Sequence, residues 1–304
     1  MVGKPGRLDV IATPIGNLGD LSPRARDALA AADVIAAEDT RHTRELLAAV
    51  GVSRPLISLH RHNEQARSGE LLERMLRGER VALVSDAGTP LLSDPGGELV
   101  RSCAAAGIAV CAIAGPSAIS AALSIAGIAT QRFCFEGFLP VKSRDRRERL
   151  ATLANETRTL VLFEAPHRIA ECLDDLAQLL GNNREAAVTR ELTKVHETVY
   201  RGTLEELART ARTDANMARG EITLVIAGAT LERYDAPQLG ADNAATAADP
   251  ALLSRALRVL LSEFPPSRAA ALAAQITGAR RQDAYQLAMR LGSAADSAAE
   301  HEES

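Results

Sequence analysis

The sequence predicts an α/β protein with two α/β domains and a small helical, helix-turn-helix-like module after them. In the first half, short apolar segments alternate with helical ones, which is typical of a mostly parallel sheet covered on both faces. The second half has a mixed pattern, and an Ala-, Asp- and Pro-rich stretch separates it from three short helical segments. We predict domains at residues 1–126 and 127–232, a linker at 233–249, a helical module at 250–292 and a disordered tail at 293–304.

The first domain is predicted to alternate five strands with five helices. The apolar strand segments are residues 8–13, 33–37, 56–60, 81–84 and 109–113. Ser22 and Pro23 are the preferred residue types for an N-cap and a first helical position, so they mark the start of the first helix. The later helical segments are residues 43–50, 65–77, 98–106 and 118–126.

The second domain is predicted to have a mixed sheet. Its strand segments are residues 133–137, 159–163, 186–190, 196–202 and 222–228, with a helix at 167–180. Thr203 followed by Glu206 forms a capping-box pattern that predicts a further helix start. The helical module contains segments at 252–262, 267–276 and 281–291.

The composition limits the function classes. The net charge is −4, which argues against bulk non-specific nucleic-acid binding but leaves room for local basic patches. Aromatic content is 3%, which disfavours the aromatic stacking platforms of RNA-recognition motifs. The four cysteines form no Cys-x-x-Cys pair, so no zinc site or disulfide framework is predicted. No apolar run is long enough to span a membrane, and we expect a cytoplasmic protein.

A long loop at residues 85–97 is the strongest indication of a ligand site. It follows a buried strand and contains small residues, two prolines and two aspartates. Ligands of open α/β sheets bind beyond the carboxyl ends of strands, and ordinary connections there have only about 2–6 residues. The Gly-rich turn at residues 14–19 follows another strand, and it suits either a bound anion or cofactor or a plain structural turn.

Polar segments follow other predicted strands, at residues 38–43, 164–168 and 190–197. They group His, Arg or Lys with acidic residues, the types needed for proton transfer or phosphate contact. Taken alone, residues 38–43 fit a capped helix start with solvated charges better, and their position at a strand end favours a functional role. Residues 60–64 contain His60, His62 and Glu64, which fit a polar strand end better than a metal site because no third ligand has a familiar spacing.

Two basic segments each allow two interpretations. Residues 142–149 fit either a solvated helix face with ion pairs or an arm that contacts phosphates. Residues 278–281 fit either the turn of a nucleic-acid-binding helix-turn-helix or part of a small helical cap.

Seven sequence strings, taken together, carry a family resemblance. In order, they occupy residues 11–18 (IATPIGNL), 37–41 (AEDTR), 84–96 (VSDAGTPLLSDPG), 114–118 (AGPSA), 137–140 (GFLP), 163–168 (FEAPHR) and 190–194 (RELTK). This chain closely resembles the bacterial 16S ribosomal RNA cytidine 2′-O-methyltransferases, within the tetrapyrrole (corrin/porphyrin) methylase-like superfamily. The resemblance extends from about residue 8 to residue 228, and the helical module resembles the small helix-turn-helix-like domain of many members.

The resemblance implies an enzyme that transfers a methyl group from S-adenosylmethionine to a cytidine ribose in 16S rRNA of the small ribosomal subunit. It also implies a cofactor held in the cleft between the two α/β domains and a homodimer; the absence of a long apolar run predicts no membrane association. Porphyrin-type members have Gly-Asp-Pro where this chain has Gly88-Thr89-Pro90, which counts against a tetrapyrrole substrate. A methyltransferase for a tetrapyrrole or other small molecule, and a non-catalytic RNA-binding factor, remain the alternatives.

The resemblance and the strand-end positions assign roles to individual residues. The residues expected to bind the cofactor are Pro14, Ile15, Asp86, Gly88, Thr89, Pro90, Leu91, Leu92, Ser117, Ala118, Phe163, Glu164 and Ala227. Lys194 is nominated as the general base, with Glu191, His167 and Asp39 as neighbours that orient the ribose hydroxyl or take its proton. The candidates for RNA contact are Arg41, Lys142, Arg144, Arg146, Arg147, Arg168, Arg190, Arg280 and Arg281.

Overall fold

A computed structural model describes residues 6–229 and 250–299, and the chain divides into two compact units between residues 231 and 232. The predicted linker at 233–249 and the last residues of the predicted tail, 300–304, lie outside the described residues. The first unit contains both α/β sheets, and the second unit contains the helical module.

The first sheet is entirely parallel, as predicted. Its strands are β1 (Arg7–Ile11), β2 (Val34–Ala37), β3 (Leu56–Ser58), β4 (Arg80–Val84) and β5 (Ala109–Ile113), in the spatial order β3-β2-β4-β1-β5. The helices are α1 (Pro23–Ala31), α2 (Thr40–Ala49), α3 (Glu64–Leu76), α4 (Gly97–Ala105) and α5 (Ala118–Ile125). Because all five strands run the same way, their carboxyl ends lie along one edge, where ligands of such sheets bind.

Local capping sets the helix starts in this domain. Helix α1 begins at Pro23, and the Ser22 side chain accepts a hydrogen bond from the backbone N–H of Ala25, as the sequence predicts. Helix α2 begins at Thr40, three residues before the predicted start at residue 43. The reason is Asp39, whose carboxylate accepts a hydrogen bond from the Arg41 backbone N–H and acts as the N-cap.

The second sheet is mixed, as predicted. Its strands are β6 (Phe133–Phe138), β7 (Thr159–Glu164), β8 (Glu185–Arg190), β9 (Thr198–Thr203) and β10 (Ile222–Ile226), in the order β6-β7-β10-β8-β9. Strands β6 and β7 are parallel, and the other neighbouring pairs are antiparallel. The helices are α6 (Ser143–Leu153), α7 (Ile169–Leu180) and α8 (Leu204–Thr213), and α8 begins with the predicted capping box of Thr203 and Glu206.

Apolar contacts join the two sheets of the first unit. Helix α5 lies against β10, and Ala122 and Ala126 pack with Ala187 and Val225. Ile15, from the turn after β1, belongs to the same buried cluster. Burial of apolar surface stabilises a fold by about 25 cal/mol per Å². The packing of Ile15 in this cluster therefore holds the turn after β1 against the second sheet.

The second unit is a three-helix module of α9 (Pro250–Leu261), α10 (Pro266–Thr277) and α11 (Arg281–Ala299). Its core is formed by Leu257 and small alanines, including Ala269 and Ala284. Helix α10 ends at Gly278, which has a φ of +71° and therefore takes the left-handed conformation that favours glycine. Helix α11 continues to Ala299, past the predicted end of the module at residue 292. The Ala-rich sequence there has high helix propensity, and the disordered-tail prediction missed this.

Candidate cofactor and substrate cleft

The loop after β4 is held against the turn after β1. The backbone N–H of Thr13 donates to the carbonyl of Gly88 at 2.9 Å, and the N–H of Gly88 donates back to Thr13 at 3.1 Å. Gly88 has a φ of +79°, and a Cβ atom there would lie 3.1 Å from Cγ2 of Ile15. Glycine is therefore required at this position for two reasons, the positive φ and the close approach to Ile15.

Two side chains connect this loop to neighbouring strand ends. The Asp86 carboxylate accepts a hydrogen bond from the backbone N–H of Asp39 at 2.9 Å, which links the ends of β4 and β2. The Thr89 hydroxyl donates to the carbonyl of Pro116 at 3.0 Å, which links the loop to the β5–α5 turn. The predicted cofactor residues of the first domain therefore lie together at one sheet edge.

The same loop contains strained backbone. Leu91 and Ser93 have φ values of 76° and 78°, a left-handed conformation that costs a residue with a side chain roughly 1–2 kcal/mol. Such strain is found at functional sites, where surrounding contacts maintain it. Ser93 is also held by Arg61, whose guanidinium donates to its carbonyl at 2.6 Å.

Glu64 caps the helix that follows this loop. One oxygen of its carboxylate accepts hydrogen bonds from the N–H groups of Gly96 and Glu98, both at 2.9 Å. This role explains Glu64 without the metal considered for His60 and His62. Within residues 6–229 and 250–299, no three His, Cys, Asp or Glu side chains are grouped so that they could hold a metal ion.

A cleft of about 410 Å³ lies beside this edge and has walls from both domains. Its lining includes Ile15, Pro116, Ser117 and Ala121 from the first domain and Thr193 from the second. A Cβ atom at Gly16 would lie 2.3 Å from Cγ of Lys194, so the loop after β8 approaches the turn after β1 closely. Lys194 is therefore brought to the edge of this cleft.

The predicted cofactor residues of the second domain do not all lie at the same end of its sheet. Glu164 pairs with Ile222 at one end of β10, whereas Ala227 follows Ile226 at the other end. At about 3.4 Å per residue, the two ends of this five-residue strand are more than 13 Å apart. Ala227 lines a separate cavity of about 350 Å³ with residues such as Arg132 and Glu185. Glu164 and Ala227 therefore lie at opposite ends of the sheet, and Glu164 does not line the cavity that contains Ala227.

Phe163 and Glu164 occupy two different environments. The Phe163 ring contacts Phe135 edge-on, with ring centres 4.9 Å apart. The Glu164 carboxylate is buried, and its oxygen lies 3.2 Å from Nε of Arg168. Arg168 also donates to the carbonyl of Leu139 at 3.0 Å, so these charges hold the segment after β6 in place.

The surroundings of Lys194 contradict its nomination as a general base. Its ammonium lies 2.8 Å from the Glu191 carboxylate and 3.3 Å from that of Glu221. Burial lowers the pKa of Lys194, but these two acidic partners outweigh it, and the net pKa is raised. Lys194 is therefore protonated at neutral pH and unable to accept a proton, and its charge is balanced by Glu191 and Glu221.

The other nominated residues differ in position and ionisation. The pKa of Glu191 is lowered, because hydrogen bonds from Lys194 and the Glu221 backbone N–H outweigh the effect of burial. Hydrogen bonds from Arg41 lower the pKa of Asp39 to about 2, so its carboxylate is a weak base. His167 is exposed, in a 3-10 turn after β7.

Two carboxylates that the sequence analysis did not single out have raised pKa values, in contrast to Asp39 and Glu191. Burial raises the pKa of Glu38, and the negative charges of Asp94 and Asp86 raise it further. Burial and the charge of Asp86 likewise raise the pKa of Asp94 more than a hydrogen bond from Ser85 lowers it. Their sequence signal was available, since Glu38 directly precedes Asp39 and Asp94 lies within the long loop.

The predicted RNA contacts divide into exposed and buried side chains. Arg41 and Arg144 have side chains that are 84% and 87% exposed. Lys142, Arg280 and Arg281 are also exposed. Arg147 is partly exposed and donates to Asp175 and Gln178.

Three of the predicted RNA contacts are wrong, because folding uses their charges internally. Arg146 is 2% exposed and donates to the Asp175 carboxylate at 2.8 Å. Arg190 is buried and donates to the carbonyls of Arg219 and His196. Arg168 holds the segment after β6, as described above.

Comparisons with known proteins agree with this fold. Residues 7–208 match the family described as Tetrapyrrole (Corrin/Porphyrin) Methylases, and residues 247–292 match the RsmI C-terminal HTH domain. Among solved structures, the methyltransferase CobJ superposes with a TM-score of 0.56 at 20% identity, covering 74% of this chain and 95% of that one. A uroporphyrin-III C-methyltransferase from Thermus thermophilus, complexed with S-adenosyl homocysteine, gives 0.52 at 18%, covering 73% and 97%.

Curated relatives are much closer in sequence. A protein of Xylella fastidiosa (strain Temecula1) named ribosomal RNA small subunit methyltransferase I is 52% identical over 92% of this chain and 98% of its own length. Proteins of the same name from Pseudomonas aeruginosa and Escherichia coli O157:H7 are 46% and 44% identical, over 94% and 93% of this chain and 97% and 95% of theirs.

Fold and cleft thus define a methyltransferase with the tetrapyrrole methylase architecture. Within that class, the chain belongs to the family of ribosomal RNA small subunit methyltransferase I. The family resemblance, the fold class and the assignment as an enzyme are confirmed. No helix in the described part of the chain has the length and apolar character needed to cross a membrane.

Proposed function

We propose that this chain transfers a methyl group from S-adenosylmethionine to the 2′-hydroxyl of a cytidine ribose in 16S rRNA of the small ribosomal subunit. The observation that carries the proposal is the match, over more than nine-tenths of the chain, to relatives named ribosomal RNA small subunit methyltransferase I. The cytidine and the 2′-hydroxyl come from the resemblance of the seven strings described above.

The residues of the cleft fit this cofactor, which combines an amino acid with a nucleoside. Helix α5 begins at Ala118, the Ser117 side chain before it makes no capping hydrogen bond, and the free N–H groups of the first turn suit a carboxylate. Gly88 and Gly115 allow close approach to the backbone, since a Cβ atom at Gly115 would lie 3.0 Å from Cβ of Ala12. Ile15 supplies apolar surface at the cleft. Bound there, the cofactor would supply the electrophilic methyl group.

Lys194 serves as a hydrogen-bond donor to the RNA in this proposal. Its ammonium is held by Glu191 and Glu221 at the edge of the cleft, and its raised pKa keeps it protonated. An ammonium has three N–H donors, so one remains for an oxygen of the RNA next to the ribose that reacts. Alignment of this kind is worth up to about 7–11 kcal/mol of the barrier when reacting groups are held in place.

A carboxylate, Glu38 or Asp94, is the proposed proton acceptor. Their raised pKa values bring them closer to the range in which a carboxylate is an effective general base. Both belong to segments at the carboxyl edge of the first sheet, beside the loop proposed to hold the cofactor. A general base contributes roughly 10²–10⁴-fold to the rate.

We further propose a homodimer. The resemblance implies it, and three large apolar side chains are exposed in the second domain. Phe138 is 57% exposed, Val141 76% and Val195 96%, and Phe138 and Val141 lie three residues apart at the end of β6, where a second copy would cover both. Light scattering on the purified chain should give twice the monomer mass, and a monomer at micromolar concentration would contradict this part of the proposal.

The test of the reaction uses the cofactor and two acceptors in parallel. Titration calorimetry should show binding of S-adenosylmethionine by the whole chain, which a non-catalytic RNA-binding factor would lack. Methyl transfer from labelled cofactor should then occur with small ribosomal subunits and not with uroporphyrinogen. Transfer to the tetrapyrrole alone would favour the small-molecule alternative.

A further inference from the structure

The helical unit contains a pocket that the proposed reaction does not use. The pocket has a volume of about 420 Å³ and is lined by Ser267, Ala270, Arg281, Gln282 and Tyr285. Ser267 lies in the first turn of α10, and the last three belong to the first turns of α11. Ala270 is buried, and its single methyl group leaves space where a larger side chain would fill the pocket.

The polar and aromatic lining residues are available to a ligand. Arg281, Gln282 and Tyr285 are neighbours on one helix face, because residues three and four apart lie on the same side. The Tyr285 ring is 44% exposed. Within the described residues, these three side chains make no hydrogen bond, ion pair or ring contact.

The charge of this unit differs from that of the whole chain. Residues 250–292 contain six arginines and two acidic residues, a net charge of +4, whereas the complete chain has a net charge of −4. A basic segment in an acidic protein is the electrostatic signature of a nucleic-acid contact. The pocket lies within this basic segment, so the charge around it favours a polyanion as the ligand.

We propose that this pocket binds one unstacked nucleotide of single-stranded RNA. The Tyr285 ring stacks on the base, the Gln282 amide hydrogen-bonds to the base edge, and Arg281 pairs with the phosphate. The Ser267 hydroxyl supplies a further donor from α10. This inference rests on the proposed function, since it adds a second contact with the same RNA substrate.

The shape of the site favours a single strand over a duplex. A helix-turn-helix reads a duplex by inserting a protruding helix into the major groove. Here the half-exposed ring lines a concave pocket, and bases become available to such a pocket only when they leave the stack.

The test measures RNA binding by the full chain with fluorescently labelled short RNA, as a single strand and as a duplex of the same sequence. Tyr285→Ala should weaken single-strand binding by about 5–100-fold, and Tyr285→Phe, which keeps the ring, should bind as the unchanged chain does. Gln282→Ala should weaken binding, whereas Gln286→Ala, an exposed glutamine outside the pocket, should not.

Salt dependence gives an independent measurement. Arg281→Gln should reduce the slope of log K against log salt by about 0.7, the value for loss of one phosphate contact to a single strand. Circular dichroism should be unchanged for all variants because the substituted side chains are exposed.

Either of two results would overturn the inference. In the first, Tyr285→Ala and Gln282→Ala bind the single strand as tightly as the unchanged chain does. In the second, these variants lose as much affinity for the duplex as for the single strand. Failure of the proposed function is a separate result, since the unchanged chain would then transfer no methyl group to small subunits. If the unchanged chain methylates subunits and Tyr285→Ala does so with the same KM, only the pocket inference fails.

Discussion

The carboxylate of Asp86 accepts a hydrogen bond from the backbone N–H of Asp39 at 2.9 Å, across two neighbouring strand ends 47 residues apart in sequence. The same carboxylate contributes the negative charge that raises the pKa values of Glu38 and Asp94. One side chain thus holds the cleft edge together and adjusts the two proposed proton acceptors.

Replacing Asp86 separates these two roles. Asp86→Ala leaves the Asp39 N–H without its acceptor, at a cost of about 1–3 kcal/mol, and should lower the melting temperature and cofactor affinity. Asp86→Asn keeps an oxygen acceptor and should retain most of the stability. Thermal unfolding and calorimetry measure both effects, and equal losses in the two variants would show that charge, not the hydrogen bond, holds the edge.

The pH dependence distinguishes the proposed bases. A carboxylate must be ionised to accept a proton, so kcat should fall as the pH drops through the raised pKa of Glu38 or Asp94. Asp86→Asn removes a neighbouring negative charge, which lowers those pKa values and should move the acidic limb to lower pH.

The control for this profile is Lys194. If Lys194 were the base, the rate would keep rising as the pH approaches its raised pKa, and the acidic limb would not respond to Asp86→Asn. As a hydrogen-bond donor to the RNA, Lys194 should tolerate replacement by Arg, whereas Lys194→Met should raise KM for RNA about tenfold, the equivalent of about 1.4 kcal/mol.

Gly88→Ala tests the close approach between the loop after β4 and the turn after β1. The substitution should weaken cofactor binding, because a Cβ atom there would meet Ile15 at 3.1 Å. The matched control is Gly107→Ala, where φ is also positive at 70° and a Cβ atom meets nothing within 4 Å. Both should cost about 1–2 kcal/mol of backbone strain, but only Gly88→Ala should reduce cofactor affinity by calorimetry.

Arg144 and Arg146 form a matched pair on one helix. Arg146→Ala leaves the Asp175 carboxylate with only the partly exposed Arg147 as a partner and should destabilise the fold by roughly 1–3 kcal/mol. Arg144 forms an exposed pair with Glu148, so Arg144→Ala should cost at most about 0.5 kcal/mol and weaken RNA binding. Urea unfolding and RNA affinity together check the pair, and reversed effects would restore Arg146 as an RNA contact.

Local sequence signals predicted much of the fold. Strand β5 has the predicted bounds, Ala109–Ile113, and the capping box of Thr203 and Glu206 is formed. These features depend on residues near one another in sequence. The parallel sheet was predictable for the same reason, since its strands and helices alternate regularly.

The errors concern contacts between distant residues. Glu64 caps a helix 32 residues further along the chain, and Arg146 is neutralised by an aspartate 29 residues away. No local pattern distinguishes these side chains from exposed ones. Lys194 is a further example, because its second acidic partner, Glu221, lies outside the sequence string at residues 190–194.

Mapping of the modified nucleotide shows whether this cleft methylates a ribose of 16S rRNA. Small subunits that lack the modification should be incubated with the chain and labelled S-adenosylmethionine, followed by digestion and mass spectrometry. We expect one labelled 2′-O-methylcytidine, and less label when Gly88→Ala is used at the same cofactor concentration. Label on a base atom, on another nucleotide or on no RNA at all would contradict it.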